Sequence, residues 1–211
     1  MITPKPIYPS VWCRDHHGNK YTWEQSLDLI REFHGHTAPG LAVGVTMVSL
    51  AMDQMAADTL FDVICETQSC LPDAIQMLTP CTIGNGWLKI RDLGRFALVM
   101  YDKLTGHGVR VFIDTAKLAR WKEFHHWFYK TKPKKEQNFD LLLEQIKGAG
   151  QSVLGMREIR VKDQYLVKQS KGAIATCPLC KEAYPLLQGN ICMGCRNGNV
   201  SDPALERLAQ Q

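Results

Sequence analysis

Four cysteines near the end of the chain are spaced to hold a metal. Cys177 and Cys180 form one C-x-x-C pair, Cys192 and Cys195 form a second, and eleven residues separate the pairs. Two such knuckles bring four thiolates to the corners of a tetrahedron, the arrangement that suits Zn²⁺. Pro178 and Gly194 fit the tight turns that aim knuckle amides at sulfur. Four soft ligands favour zinc or iron, and zinc is the usual structural choice. A closed four-ligand site leaves no position for a substrate, so one structural zinc per chain is expected. The module around it should bind something or dock on another chain. A pair of redox dithiols would need a βαβ context that this stretch lacks.

A second constellation lies in the first half. His34-Gly35-His36 has no side chain at Gly35 to obstruct what the two imidazoles approach, and Pro39 opens a helix just beyond them. Cys70 falls at the start of a helix predicted over 71–78, a position that lowers a thiol pKa. Cys81 follows the end of the same helix, and Glu66 and Asp73 supply nearby carboxylates. The ordinary reading of such cysteines is a small buried residue. It fits Cys65, which sits mid-strand on an apolar face. Cys70 and Cys81 fall at element ends, where sites are built. His34, His36 and Cys70 are thus candidate catalytic residues with Cys81 supporting. His36 and Cys70 double as candidate ligands of a second transition metal. Cys13 has no assigned role.

The elements that must position these residues follow from pattern. Thr22-Trp23-Glu24-Gln25 reads as a capping box opening a helix that stops at Gly35. A second helix runs from Pro39 to Met52 and is apolar all round, so it belongs in the middle of the fold. Residues 60–66 alternate as a strand. The runs 87–91 and 96–102, joined by Asp92-Leu93-Gly94, read as a hairpin, and 109–113 adds a third strand of the meander. Residues 115–129 and 139–146 read as helices, 156–167 as a late strand, and Asp202-Pro203 as the cap of a last helix over 204–209.

The chain has 211 residues and a formal net charge of +4, and 45% of its residues are hydrophobic, enough to build a core. Residues 117–171 hold 13 basic and 6 acidic side chains. Lys130, Lys132, Lys134 and Lys135 lie there beside Trp127, Phe128 and Tyr129, so nucleic acid is a partner class, though a solvated lysine loop is the favoured reading. His125 and His126 are adjacent in a helix and point apart. Met1–Pro6 has no apolar signal segment and no stretch reads as a membrane span, which points to a cytoplasmic protein with metal-bound cysteines rather than disulfides.

Three separated blocks carry a family resemblance: FHGHTAPG over 33–40, ETQSCLPDAIQMLTPCTIGNGWL over 66–88, and GRFALVMYDKLTGHGVRVFID over 94–114. They resemble the E-subunit family of formylmethanofuran dehydrogenase, and the double knuckle is similar to the finger appended to many of its members. The family name records association with a molybdenum or tungsten enzyme of methanogenesis. The resemblance implies an α+β core with an antiparallel sheet and packed helices over 1–171, and a treble-clef or zinc-ribbon-type finger over 172–211. It also implies a homodimer and a core site at His34, His36 and Cys70. Many relatives read HGHxCPG, with a cysteine where this chain has Ala38. Two functions are therefore expected in competition. One is a metal-binding protein with a metal or thiol active site in the core. The other is a non-catalytic adaptor whose finger docks on a larger redox enzyme or on nucleic acid.

Overall fold

A computed structural model describes residues 10–167, 170 and 172–198. Its contacts divide the chain into two units, Met1–Leu166 and Val167–Gln211.

The first unit opens with a short antiparallel pair, β1 (Cys13–Arg14) and β2 (Lys20–Tyr21). Helix α1 (Trp23–His34) begins at the capping box: the Thr22 hydroxyl accepts from the Gln25 amide and the Gln25 side chain accepts from the Thr22 amide. It ends at Gly35, whose φ of 85° is the left-handed cap that glycine adopts without strain. Helix α2 (Pro39–Met52) buries every residue except Pro39 and Leu50. Its polar side chains are satisfied locally: Thr46 donates to the Ala42 carbonyl, and Ser49 accepts from the Arg14 amide. Next come β3 (Phe61–Cys65) and α3 (Leu71–Leu78). A Cβ at Gly44 of α2 would lie 2.8 Å from the Ala74 Cβ, so glycine lets α2 and α3 cross in contact.

Strands β4 (Leu88–Ile90), β5 (Ala97–Asp102), β6 (His107–Ile113) and β7 (Leu154–Arg160) complete a sheet of order β4-β3-β5-β6-β7. The expected hairpin between the 87–91 and 96–102 runs does not form. β4 instead pairs with β3 in parallel, and β3 lies between β4 and β5. The reason is in the connection: the Leu93 and Arg95 amides both donate to the Glu66 carbonyl, which carries the chain over the end of β3. The other pairs are antiparallel. Between β6 and β7 lie α4 (Thr115–Leu118), α5 (Lys122–Tyr129) and α6 (Phe139–Ala149). The helix expected over 115–129 breaks at Trp121. The late strand ends at Arg160, and a 3-10 turn over Asp163–Tyr165 follows it.

Strand residues alternate between two faces. Val63, Cys65, Leu98, Met100, Val109 and Val111 pack with the helices in the main core, while Ile64, Val99 and Tyr101 pack on the opposite face with Val161. Among the described residues no helix is long and apolar enough to cross a membrane.

The second unit contains β8 (Ile174–Thr176) paired antiparallel with β9 (Ala183–Pro185), a 3-10 turn at Leu186–Gln188, and α7 (Met193–Asn197). The helix expected over 204–209 lies outside the described residues.

Candidate functional site

In the second unit the four cysteines converge. Their sulfurs all lie within 4.8 Å of one another, and among the described residues no other three His, Cys, Asp or Glu side chains bring their ligand atoms that close together. Cys177 Sγ is 3.9 Å from Cys195 Sγ, and Cys180 Sγ is 3.7 Å from Cys192 Sγ. A tetrahedron with zinc–sulfur bonds of about 2.3 Å has edges of about 3.8 Å, so the cage has the size zinc requires. Each knuckle is built by backbone. Cys177 donates to the Glu182 carbonyl and accepts from the Lys181 amide, and the Cys195 amide points at the Cys192 sulfur at 3.3 Å. Backbone hydrogen bonds from Cys192 and Cys180 draw the Cys177 thiol down to about 6, whereas sharing with Cys192 pushes Cys195 up to about 12. Four sulfurs this close cannot all ionise unaided, which is how a cation-ready cluster behaves. All four positions are protein ligands, so the site is structural.

In the core, the α1–α2 junction meets the start of α3. His34 Nδ1 lies 2.7 Å from Asp73 Oδ2, with both side chains half-buried. The exposed His36 ring sits 4.7 Å from that of His34, centroid to centroid. Engaging Nδ1 fixes the ring and leaves Nε2 turned to other business, the arrangement that orients metal-binding and proton-carrying histidines.

Cys70 precedes α3 with φ 55° and ψ −48°, and the Leu71 amide donates to the Ser69 carbonyl at 2.5 Å. This is a γ-turn of the rare positive-φ kind, strained for any residue with a side chain. The thiol packs on Gly40 at the start of α2. A Cβ there would stand 2.9 Å from both Cys70 Cβ and Sγ, with Trp127 Cζ2 of α5 at 3.8 Å. Position at a helix start suggests a lowered thiol pKa for Cys70. The structure corrects this: burial, and then the Asp73 carboxylate, push it up. At neutral pH the free thiol is therefore protonated and needs a base or a cation to become reactive.

Gly40→Ala is expected to cost about 1–3 kcal/mol by driving methyl against sulfur. The double variant Gly40→Ala/Cys70→Gly should recover most of it, because glycine both vacates the space and accepts the φ. Thermal melts of the four proteins in that cycle check the coupling.

Other predicted residues fall elsewhere. Cys81 lies three residues beyond the far end of α3, a helix about 12 Å long that starts directly after Cys70. It is fully buried, with Sγ 3.5 Å from the Phe61 carbonyl, and burial pushes it to about 11. Glu66 faces away from the histidines. It accepts from Arg110 Nε and Nη2, both at 2.8 Å, and from Arg95 at 2.8 Å. Cys65 is fully buried, as expected, but stands at the last position of β3 and not in its middle. The His125 and His126 rings diverge, 6.0 Å apart and near perpendicular. Lys132 pairs with Glu123 at 3.0 Å, while Lys130, Lys134 and Lys135 are exposed. Trp127 beside Gly40 is the residue that sequence reasoning missed. The one signal was a glycine directly after the opening proline of α2, where contact with a neighbour is the usual reason.

Both units have counterparts among known proteins. A solved structure of a tungsten formylmethanofuran dehydrogenase E-subunit (FmdE)-like protein from Syntrophus aciditrophicus is 43% identical, with a TM-score of 0.79 over 90% of this chain and 99% of that one. A probable S-adenosyl-L-methionine-binding protein from Archaeoglobus fulgidus is 35% identical over 99 residues, 43% of this chain. The match reaches only 27% of that archaeal protein's length. The model described as FmdE treble clef zinc finger matches residues 168–200, the stretch that contains the four-cysteine cage. The model described as FmdE, Molybdenum formylmethanofuran dehydrogenase operon, matches residues 33–162, from just before His34 through the last strand of the sheet. With core and finger both accounted for in chain order, the chain belongs to the FmdE family.

Proposed function

We propose that this protein is a metal-binding FmdE-type protein with two centres of different kinds. The finger's zinc is structural. The core centre is a reactive metal or thiol site built from His34, His36 and Cys70. The observation that carries this reading is the His34–Asp73 pair at 2.7 Å beside a second imidazole and next to a strained cysteine. Strain of that kind persists where surroundings over-determine it, and it clusters at functional sites. The raised thiol of Cys70 favours a metal over a free nucleophile, because a cation removes the proton outright. His36 and Cys70 would hold the ion, and His34, oriented by Asp73, would act as a further ligand or carry a proton. Such an ion would supply an activated water or a polarised substrate oxygen.

Elemental analysis of the purified chain tests this. About two metals per chain are expected, of which His36→Ala and Cys70→Ser each remove one and leave the finger's zinc. A stoichiometry near one, unchanged in both variants, would sink the core centre.

A second reading is an adaptor, and the finger's surface favours it. Leu179, Leu186, Leu187 and Met193 are all exposed on a small unit, as docking residues are. In this reading the partner is a larger redox enzyme, in keeping with the formylmethanofuran dehydrogenase named for the Syntrophus relative. One metal per chain together with co-purification of such an enzyme, lost in Leu187→Asp, would establish it.

A further inference from the structure

Strand β7 ends the sheet, and its outer side pairs with no other strand among the described residues. Which backbone groups face outward follows from the ladder. The Asp114 amide donates to the Val153 carbonyl and the Val161 amide to the Gly106 carbonyl, at either end of the β6–β7 register. Hydrogen-bonded positions alternate in an antiparallel pair, so 155, 157 and 159 bond to β6. The amides and carbonyls of Met156 and Glu158 therefore point away from the sheet. Both residues are exposed, and so are Arg157 and Arg160. At this edge one outward group is capped: the Leu154 carbonyl accepts from Lys117 Nζ at 2.8 Å.

Side chains tell what the edge would accept. Arg157 lies directly opposite Arg110, and both guanidinium carbons are 5.1 Å from the Phe112 ring centroid. Like charges opposed on one face are unfavourable unless a counter-charge is supplied. Arg110 has its own in Glu66. Arg157 pairs with no carboxylate among the described residues. On the other face Met156 is 42% exposed, and Arg160 is neutralised by Asp163 at 2.9 Å.

We propose that the free edge of β7 receives an extended acidic peptide segment of a partner protein as a sixth strand. Met156 and Glu158 would exchange backbone hydrogen bonds with it. Arg157 would then occupy a position without backbone bonds on that side, where opposing side chains come closest, and would face a carboxylate. The adjacent residues of the segment would be apolar and lie beside Met156. Charged residues on an edge normally deter pairing. On the face that carries Arg157 the charge left uncompensated is positive, so that face discriminates instead of closing, while Glu158, exposed and without a cationic partner among the described residues, lies on the other face. A nucleic-acid strand fits less well, because the Phe112 ring already carries two guanidiniums and offers no platform for bases. A second copy paired through the same edge about a two-fold axis would set the two Arg157 faces side by side.

The test is fluorescence anisotropy of the full chain with a labelled peptide of about ten residues alternating glutamate and valine. Saturable binding that weakens with added salt is expected. Arg157→Gln should weaken it, and Arg157→Glu should weaken it by about tenfold or more. Methylating the peptide amides that face β7 should abolish it, which simple charge attraction would not produce. Among the described residues Arg157 makes no ion pair and its side chain is exposed, so both variants should fold. If either misfolds, the methylated-peptide comparison on the unmodified chain decides alone. Absence of binding, equal affinity for the methylated peptide, or indifference to Arg157→Glu in a folded variant would each overturn the proposal. So would tighter binding of a thymidine oligonucleotide, or a dimer seen by light scattering that excludes the peptide.

Discussion

Treatment with a strong chelator is expected to unfold the finger completely and leave the core folded. The reason is the near-absence of anything else to hold the second unit together. Among its described residues only Cys177 and Tyr184 are buried, so no apolar core replaces the metal when it goes. Small domains of this kind are folded with metal and unfolded without it. Released metal should amount to about one per chain from this site, and four thiols should become reactive to a chromogenic disulfide. Cys180→Ser should mimic the chelator, since three ligands do not close the tetrahedron. Acid acts in the same direction. Metal binding must displace the protons of every neutral thiol, and Cys195 holds its own up to about 12 in the metal-free cluster, so affinity falls as pH falls. Metal release followed against pH, with core and finger monitored separately, checks both statements. Loss of core structure at the same midpoint would refute them.

Arg110→Ala is expected to destabilise the core by about 3 kcal/mol, the low end for breaking a buried pair, because Arg95 still reaches the carboxylate. Glu66 is 5% exposed and sits just past the end of β3, where the 91–97 connection crosses it. Its carboxyl is raised by burial but lowered more by the bonds and charge of Arg110, then Arg95, and the net is a pKa below the ordinary 4.5. The sign is fixed by that direction. A depressed carboxylate stabilises the fold fully above its unfolded value, and the contribution drains away as pH falls below about 4.5 through the folded value. The melting temperature of Arg110→Ala should therefore lie roughly 6–12 °C under the parent at neutral pH, with the gap narrowing in acid. A constant gap down to pH 3 would place the effect in packing against Phe112 instead. The loop after Glu66 leads within four residues to Cys70, so the same variant should also alter that thiol's alkylation rate.

Local signals were readable because they act locally. The capping box at Thr22, the stop at Gly35, proline at the start of α2 and the borders of α3 each depend on residues within a turn of one another. The cysteine knuckles were readable for the same reason, since spacing alone sets their geometry. Strand order was not. Whether β4 pairs with β3 or β5 depends on the 91–96 connection bonding to Glu66, and no pattern within either strand encodes that. The short β1–β2 pair was missed because two residues carry no periodicity. The proposed core site was half legible. His34, His36 and Asp73 announced themselves by type, but Trp127 arrives from a distant helix, and Cys81 shares a motif with Cys70 without sharing its neighbourhood. Thiol acidity failed for a further reason: a helix start favours the anion, but burial and the Asp73 carboxylate outweighed it.

The backbone at Cys70 has a consequence for anyone who would make this protein more robust. A residue held at φ 55° is a site where glycine relieves strain, by about 1 kcal/mol or more. Selection for heat resistance alone, in a library or by computation, would drift toward Cys70→Gly and count it an improvement. The thiol would vanish from a protein that expressed better and melted higher. Position 70 should therefore be frozen in any stabilisation campaign, and a natural variant carrying glycine there would be a candidate for a chain that has traded its chemistry for durability.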